Sequence, residues 1–205
     1  MRIVAGALKG RRLVAPKGRG VRPTLEMVRE AVFDVLGPRV AGARVLDLFA
    51  GSGAMGIEAL SRGAAHAVWC DAEARSIEAV RENVERLGVG RQGTVLQMTA
   101  QAAMRYLERK GRAFDLVFLD PPYEGGHYES MLLALSRSPL VVDGAWVCVE
   151  HPKRIDLPPT FGSLTQDRRR RYGETFVSFY VRGDRTQTGE PVPGADGVPP
   201  EGGTP

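Results

Sequence analysis

No stretch of the chain reaches the roughly 18 to 20 consecutive apolar residues that a membrane helix needs, and its first residues lack the apolar segment of a signal peptide. No membrane partner is expected, and the expected location is cytoplasmic. Cysteine is nearly missing. Cys70 and Cys148 each sit inside an apolar run, AVWCDA and AWVCVE, where a free thiol behaves as a small core residue. That excludes a disulfide framework and fits a reducing compartment. The three histidines, His66, His127 and His151, show no metal spacing, and nothing else forms a ligand cluster, so no metal is expected. Acid is absent from one place in particular: before Glu26 there is none, while Arg2, Lys9, Arg11, Arg12, Lys17, Arg19 and Arg22 all fall there.

What is present is enough for one well-buried domain, since 205 residues at 43% hydrophobic content are too few for two large ones. The net charge of +4, from 28 Lys+Arg and 24 Asp+Glu, is moderate, so its distribution carries more information than its total. Residues 1–22 read as a basic arm whose short apolar pairs and glycines are compatible with a small β-hairpin. Lys9, Arg11 and Arg12, in this acid-free setting, are candidate contacts to nucleic-acid phosphates, which would make binding salt-dependent. Arg22 and Arg29 flank the start of a helix, LEMVREAVFDVL, with Thr24 as its cap and Gly37-Pro38 as its stop. These two arginines could reach RNA phosphates or a pocket; the alternative is a capped helix with a solvated face.

From Ala43 onward short β-rich runs alternate with helical ones: ARVLDLFA, GIEALSRG, AVWCDA, EARSIEAVRENVERLG, TVLQMT, AQAAMRYLERKG, DLVFLD, YESMLLALSRS and WVCVEH. This is the pattern of βαβ units winding a parallel sheet. After His151 the alternation ends, and SLTQDRRRRYGE with TFVSFYVR reads as a terminal hairpin. The expectation is an α/β, Rossmann-like, mostly parallel sheet of seven strands with helices on both faces and one antiparallel edge strand. The domain would span 23–182. The Gly/Pro-rich segment 183–205 has few apolar anchors and reads as a disordered tail without chemistry. Arg168 to Arg171 read as a solvated, charged edge strand with some contribution to RNA contact, since charge also blocks edge pairing.

Gly51-Ser52-Gly53-Ala54-Met55-Gly56 fits G-x-G-x-x-G between a strand and a helix, with Asp71 closing the next strand about 20 residues on. Alone, the motif suggests a dinucleotide as readily as anything else. Asp47, at the end of the first strand, weighs against that reading, because a carboxylate there would repel a pyrophosphate. S-adenosylmethionine carries an ammonium and a sulfonium and no phosphate, so Asp47 would favour it, and Asp71 could accept both ribose hydroxyls. Phe49 and Ala50 would add main-chain contacts, and Gly51, Ser52 and Gly53 a close backbone approach. Asp47 could equally cap the following helix.

A second constellation closes a later strand: FLDPPY, with Asp120, Pro121, Pro122 and Tyr123. The prolines donate no hydrogen bond, so the corner offers acceptors, the Asp120 carboxylate and the Pro121 carbonyl. That suits a target bringing two donors, such as the NH2 of a base, whose nitrogen would be aimed at an electrophile while its growing positive charge is stabilised. Tyr123 could stack on the base. A bare turn is the simpler reading of Asp-Pro-Pro, but not in this position after an apolar strand and downstream of a glycine loop.

With RIVAGALKGRRL, RPTLEMVREAVFDVL, LDLFAGSGAMGIEALSRGA, DPPY and RRRRYGETFVSFY together, the chain resembles the class I S-adenosylmethionine-dependent methyltransferases, and more closely the RsmD family of 16S ribosomal RNA guanine-N2 methyltransferases. The resemblance runs from Arg2 to about Arg182. It implies methylation of a guanine N2 in small-subunit RNA, with 16S RNA or the small ribosomal subunit as partner. It also implies the amino-group pocket at Asp120 to Tyr123 and the ribose acid at Asp71, where the family often has Glu. The family commonly places Asp or Asn near the adenine after the third strand; this chain reads TAQAAM there, leaving Thr99 and Gln101 as candidates. Other classes stay open at this point: a DNA or protein-glutamine amino methyltransferase, an NAD-dependent oxidoreductase, and a non-catalytic RNA-binding module.

Overall fold

The computed structural model describes residues 1–16, 26–121 and 127–183. The expected contributions of Arg22, Thr24, Pro122, Tyr123 and the tail beyond Gly183 lie outside the described residues, as does the proposed boundary at 22–23.

The alternation expected from Ala43 is realised as β1 (Arg44–Leu48), α2 (Ala54–Ser61), β2 (His66–Asp71), α3 (Ala74–Leu87), β3 (Gly93–Gln97), α4 (Ala100–Arg109), β4 (Phe114–Leu119), α5 (His127–Arg137) and β5 (Val141–Pro152). Helix α1 (Glu26–Leu36) precedes it; β6 (Thr160–Phe161), β7 (Leu164–Tyr172) and β8 (Thr175–Arg182) follow. The sheet order is β3-β2-β1-β4-β5-β8-β7-β6. Strands β1 to β5 pair in parallel, and the pairs from β5 onward are antiparallel.

The sheet departs from the sequence expectation in two ways. It has eight strands rather than seven, because Thr160 and Phe161 add a strand too short to leave a periodic signal. The arginine-rich β7, expected at the edge, is also not the outermost strand: its Leu164 and Thr165 pair with β6, while β8 lies inside it, bonded to β5 on one side and β7 on the other. In β8, Val177, Phe179 and Val181 face one side and Ser178 and Tyr180 the other, all buried, so both of its faces are covered. β7 is exposed over Arg169 to Arg171, beyond its short pairing with β6, so these charges stand at the free edge there.

Alternating strand residues feed two apolar layers, as expected of strands covered on both faces. Val45, Trp69, Leu116, Phe118 and Phe179 pack with α1 and α2; Leu46, Val68, Val117, Val147 and Tyr180 pack with α4 and α5. In α1, Val28, Val32, Phe33 and Leu36 form the buried stripe. Helix α3 ends at Gly88 in a left-handed cap at φ 71°, and Thr99 caps α4 by accepting the Ala102 N–H at 3.3 Å.

The basic N-terminal segment is stapled to this domain. Arg2 and Arg12 form an antiparallel bridge, and Ile3 and Leu13 enter the core. The Val4 and Ala5 N–H groups donate to Glu58 at 2.8 and 2.9 Å, and the Leu8 N–H donates to Ser61 Oγ at 2.9 Å. Gly6, at φ 80°, crosses so closely over α2 that a Cβ would stand 1.8 Å from the Ser61 carbonyl oxygen.

Candidate active site

Because β4 pairs directly with β1, with Asp47 opposite Phe118, the carboxyl ends of these two strands open onto one cleft at the point where the strand order reverses. The cleft is lined by Asp47, Phe49, Ala50, Gly51 and Ser52 from β1 and its loop, and by Phe118 and Asp120 from β4. Met1, Val32, Cys148, Glu150 and Val177 complete the walls. Glycine loop and acceptor corner, 68 residues apart between Ser52 and Asp120 in the numbering, thus share one space.

The loop is held open by specific contacts. Phe49 is the one non-glycine residue with positive φ among the described residues, at 73°. It is held there by two bonds, since the N–H groups of Phe49 and Ala50 both donate to the Cys70 carbonyl at 2.9 Å. Their carbonyls are what this turn can offer a cation, the one of Ala50 already accepting the Gly53 N–H at 2.7 Å and keeping its second lone pair. Gly51, at φ 55°, would carry its Cβ into open space, so it leaves room for a ligand rather than for packing. Gly56 has the opposite role: a Cβ would stand 2.3 Å from Trp69 Nε1, the indole that donates to the Gly53 carbonyl at 3.1 Å. Ser52 is fixed from below, its carbonyl accepting the Asn83 side-chain amide at 3.0 Å.

Three acids stand around the loop. Asp47 is 4% exposed and accepts the Gly56 N–H at 3.2 Å, so it does cap the start of α2. Burial, with the charges of Asp71 and Asp120 nearby, pushes its carboxyl up to about 7 against the Gly56 bond. Asp120 opens onto the cleft, yet the protein around it is dense enough that desolvation raises it to about 6. Asp71 is half-buried and accepts the Gly51 and Glu73 N–H groups, each at 2.9 Å, one on each oxygen. Each oxygen keeps a lone pair for a hydroxyl donor. The Pro121 carbonyl accepts the hydroxyl of buried Tyr128 at 3.4 Å. Burial raises both cysteine thiols, Cys70 to about 12, so neither is a nucleophile. Among the described residues no group of acids, histidines or cysteines could hold a metal ion.

The arrangement fits a cationic, phosphate-free ligand. A buried carboxylate held partly protonated by its surroundings gains from a positive group brought beside it, and three acids around one loop would repel a pyrophosphate.

Some predicted residues fall elsewhere. Thr99 and Gln101 are exposed at the start of α4, outside the cleft walls, and the Thr99 hydroxyl serves as the helix cap. Lys9, Arg11 and Arg12 are exposed on the N-terminal hairpin. Arg29 is a correction: at 0% exposure it faces neither RNA nor solvent. Its Nε donates to Glu58 at 3.3 Å and its guanidinium also holds the Arg2 carbonyl. The spacing of Arg29 with Val32, Phe33 and Leu36 puts it on the inward stripe, and Glu58 sits in the otherwise apolar AMGIEALS helix. Two opposite charges on two inward faces are a readable signal of a buried pair. Glu150 joins the site without having been expected there, although it closes the apolar run WVCVE much as Asp120 closes DLVFLD.

Comparison with known proteins identifies the family. The family model described as conserved hypothetical protein 95 matches residues 1–181. The Escherichia coli K12 protein named ribosomal RNA small subunit methyltransferase D is 34% identical over 182 residues, covering 89% of this chain and 90% of that one. A hypothetical protein of Thermus thermophilus superposes with a TM-score of 0.75 at 32% identity, over 87% of this chain and 98% of its own. The 16S rRNA N2 G1207 methyltransferase RsmC of the same species, solved with AdoMet and guanosine, shares the fold at a TM-score of 0.65 and 20% identity, over 85% of this chain and 46% of its own. The chain belongs to the conserved hypothetical protein 95 family, the RsmD family of methyltransferases.

Proposed function

We propose that this protein transfers a methyl group from S-adenosylmethionine to the exocyclic N2 of a guanine in 16S ribosomal RNA, acting in the cytoplasm on the RNA or the small ribosomal subunit. The observation that carries this reading is the shared cleft, which sets the buried Asp47 and its glycine loop against the Asp120–Pro121 acceptor corner in a member of this family.

The cofactor supplies a methyl group on a sulfonium. Asp47 and the Phe49 and Ala50 carbonyls would hold its charged methionine part, Gly51, Ser52 and Gly53 its close passage over the loop, and Asp71 its ribose hydroxyls. Thr99 and Gln101, on the rim of α4, are the adenine candidates. Asp120 and the Pro121 carbonyl accept the two N–H groups of the target NH2, which orients the nitrogen and favours the positive charge that develops there. Tyr128 keeps the Pro121 carbonyl in place from behind. The roles of Pro122 and Tyr123, which lie outside the described residues, rest on their positions in the motif. Lys9, Arg11 and Arg12, with Arg22, would contact RNA phosphates, as part of a basic segment 1–22 attached to a catalytic domain 23–182.

The test is methyl transfer from labelled S-adenosylmethionine to small subunits taken from cells lacking the protein. Label in N2-methylguanosine supports the reading. Label in an adenine or cytosine amino group, in DNA or in a protein glutamine would replace it, and tight NAD binding without S-adenosylmethionine binding would refute it.

A further inference from the structure

The Asp-Pro-Pro-Tyr corner accepts any planar NH2, so it does not by itself distinguish guanine from adenine or cytosine. We infer that Glu150 makes that choice, its carboxylate accepting the guanine N1–H while Asp120 and the Pro121 carbonyl hold the adjacent N2 amino group. The inference rests on the guanine-N2 reading above and deepens it.

The placement follows from the sheet. Strands β4 and β5 run parallel with Phe118 opposite Cys148 and Leu119 opposite Val149, which brings Asp120 and Glu150 into line at the ends of neighbouring strands. Phe118 and Cys148, two residues earlier on each strand, both line the cleft, so the alternation of side chains directs Asp120 and Glu150 to the same face. Both do line the cleft. Neighbouring strands stand about 4.8 Å apart, close enough for two carboxylates to receive adjacent groups of one ring edge. On its other side Glu150 pairs across from Val177, an apolar wall of the same cleft, so it stands between the acceptor corner and a surface that excludes water from the base edge. Its side chain is one methylene longer than that of Asp120 and reaches further along that edge.

The chemistry supplies the selection. Guanine carries N1–H beside its N2 amino group, two donors in a row, whereas adenine and cytosine carry a ring nitrogen acceptor beside their amino groups. A carboxylate at Glu150 completes the guanine edge and confronts the other two with a repelling lone pair.

The test uses small subunits reconstituted with the mapped target guanine either kept or replaced by 2-aminopurine, which has the same amino group and a ring acceptor in place of N1–H. The wild-type protein should favour guanine by about 10- to 100-fold. Glu150→Leu, which can neither accept nor donate, should lose about that factor on guanine and bring the preference close to 1, with S-adenosylmethionine affinity unchanged. An undiminished preference in Glu150→Leu, or an equal loss on both acceptors, would overturn the assignment. Wild-type protein that methylates neither acceptor would instead overturn the guanine-N2 reading, and this inference with it.

Discussion

Glu58 accepts the Nε–H of Arg29 at 3.3 Å with both side chains fully buried, and the same carboxylate receives the N–H groups of Val4 and Ala5 and the Nε–H of Arg62. One acid thus ties the N-terminal hairpin, α1 and α2 together. Removing one partner leaves an uncompensated buried charge, so Glu58→Ala should cost about 3–5 kcal/mol in denaturant unfolding, while Arg29→Met with Glu58→Leu should recover only the part due to that charge, because Leu leaves the Val4 and Ala5 N–H groups without their acceptor. Arg29→Met alone should leave the salt dependence of RNA binding unchanged; a shallower salt slope would restore Arg29 as a phosphate contact.

Asp47 predicts a conflict between stability and binding. Its carboxyl is raised to about 7, against about 3.9 in an unfolded chain, so the folded state retains a proton that the unfolded state releases. Its favourable contribution is present below about pH 4 and lost as pH rises through about 7. Asp47→Asn keeps an acceptor for the Gly56 N–H and should be more stable than wild type at pH 8, by up to about 4 kcal/mol, with little difference near pH 4. Calorimetry should find its S-adenosylmethionine affinity reduced. Equal stability at pH 8 would mean that Asp47 is not held under this strain.

Asp120→Ala should lower methyl transfer by about 100- to 1,000-fold or more while changing cofactor affinity little, because it removes a group that acts where charge develops. In the wild type, transfer should rise with pH through about 6 as Asp120 ionises. Turnover unchanged by the substitution would remove Asp120 from the reaction.

For the basic hairpin, Arg11→Glu with Arg12→Glu should weaken RNA binding at moderate salt and flatten the dependence of affinity on salt, since phosphate contacts release counterions. Both side chains are exposed, so the fold should tolerate the change. Affinities that match the wild type across a salt series would assign RNA binding elsewhere.

Asn83 gives a prediction about order in the glycine loop. Buried in α3, it exchanges hydrogen bonds with the Val14 backbone at 2.8 and 2.9 Å and donates to the Ser52 carbonyl at 3.0 Å. Asn83→Ala leaves these backbone groups without their partner, so it should reduce stability by roughly 1–3 kcal/mol and weaken S-adenosylmethionine binding at the same time. Loss of stability with intact cofactor affinity would limit Asn83 to holding the hairpin.

Most of this architecture is legible because parallel strands buried on both faces read as continuous apolar runs, and because Gly51 to Gly56 and Asp120-Pro121 sit where such runs stop. Their meeting in one cleft can be expected from strand order alone, and β1 does pair with β4. Other features leave a weaker signal. β6 is two residues long and has no period to detect. Arg29 reads as a surface cation because charge usually means solvent, yet its partner lies 29 residues away on another helix. Glu150 is inconspicuous for a related reason: at the end of a strand its neighbour across the sheet, Asp120, is 30 positions distant in the sequence.

The central claim is tested most directly by mapping methylated nucleosides in 16S RNA from cells with the protein, without it, and with the Asp120→Ala variant in its place. The account predicts one N2-methylguanosine present in the first and missing from the other two. An unchanged set of N2-methylguanosines in all three would contradict it.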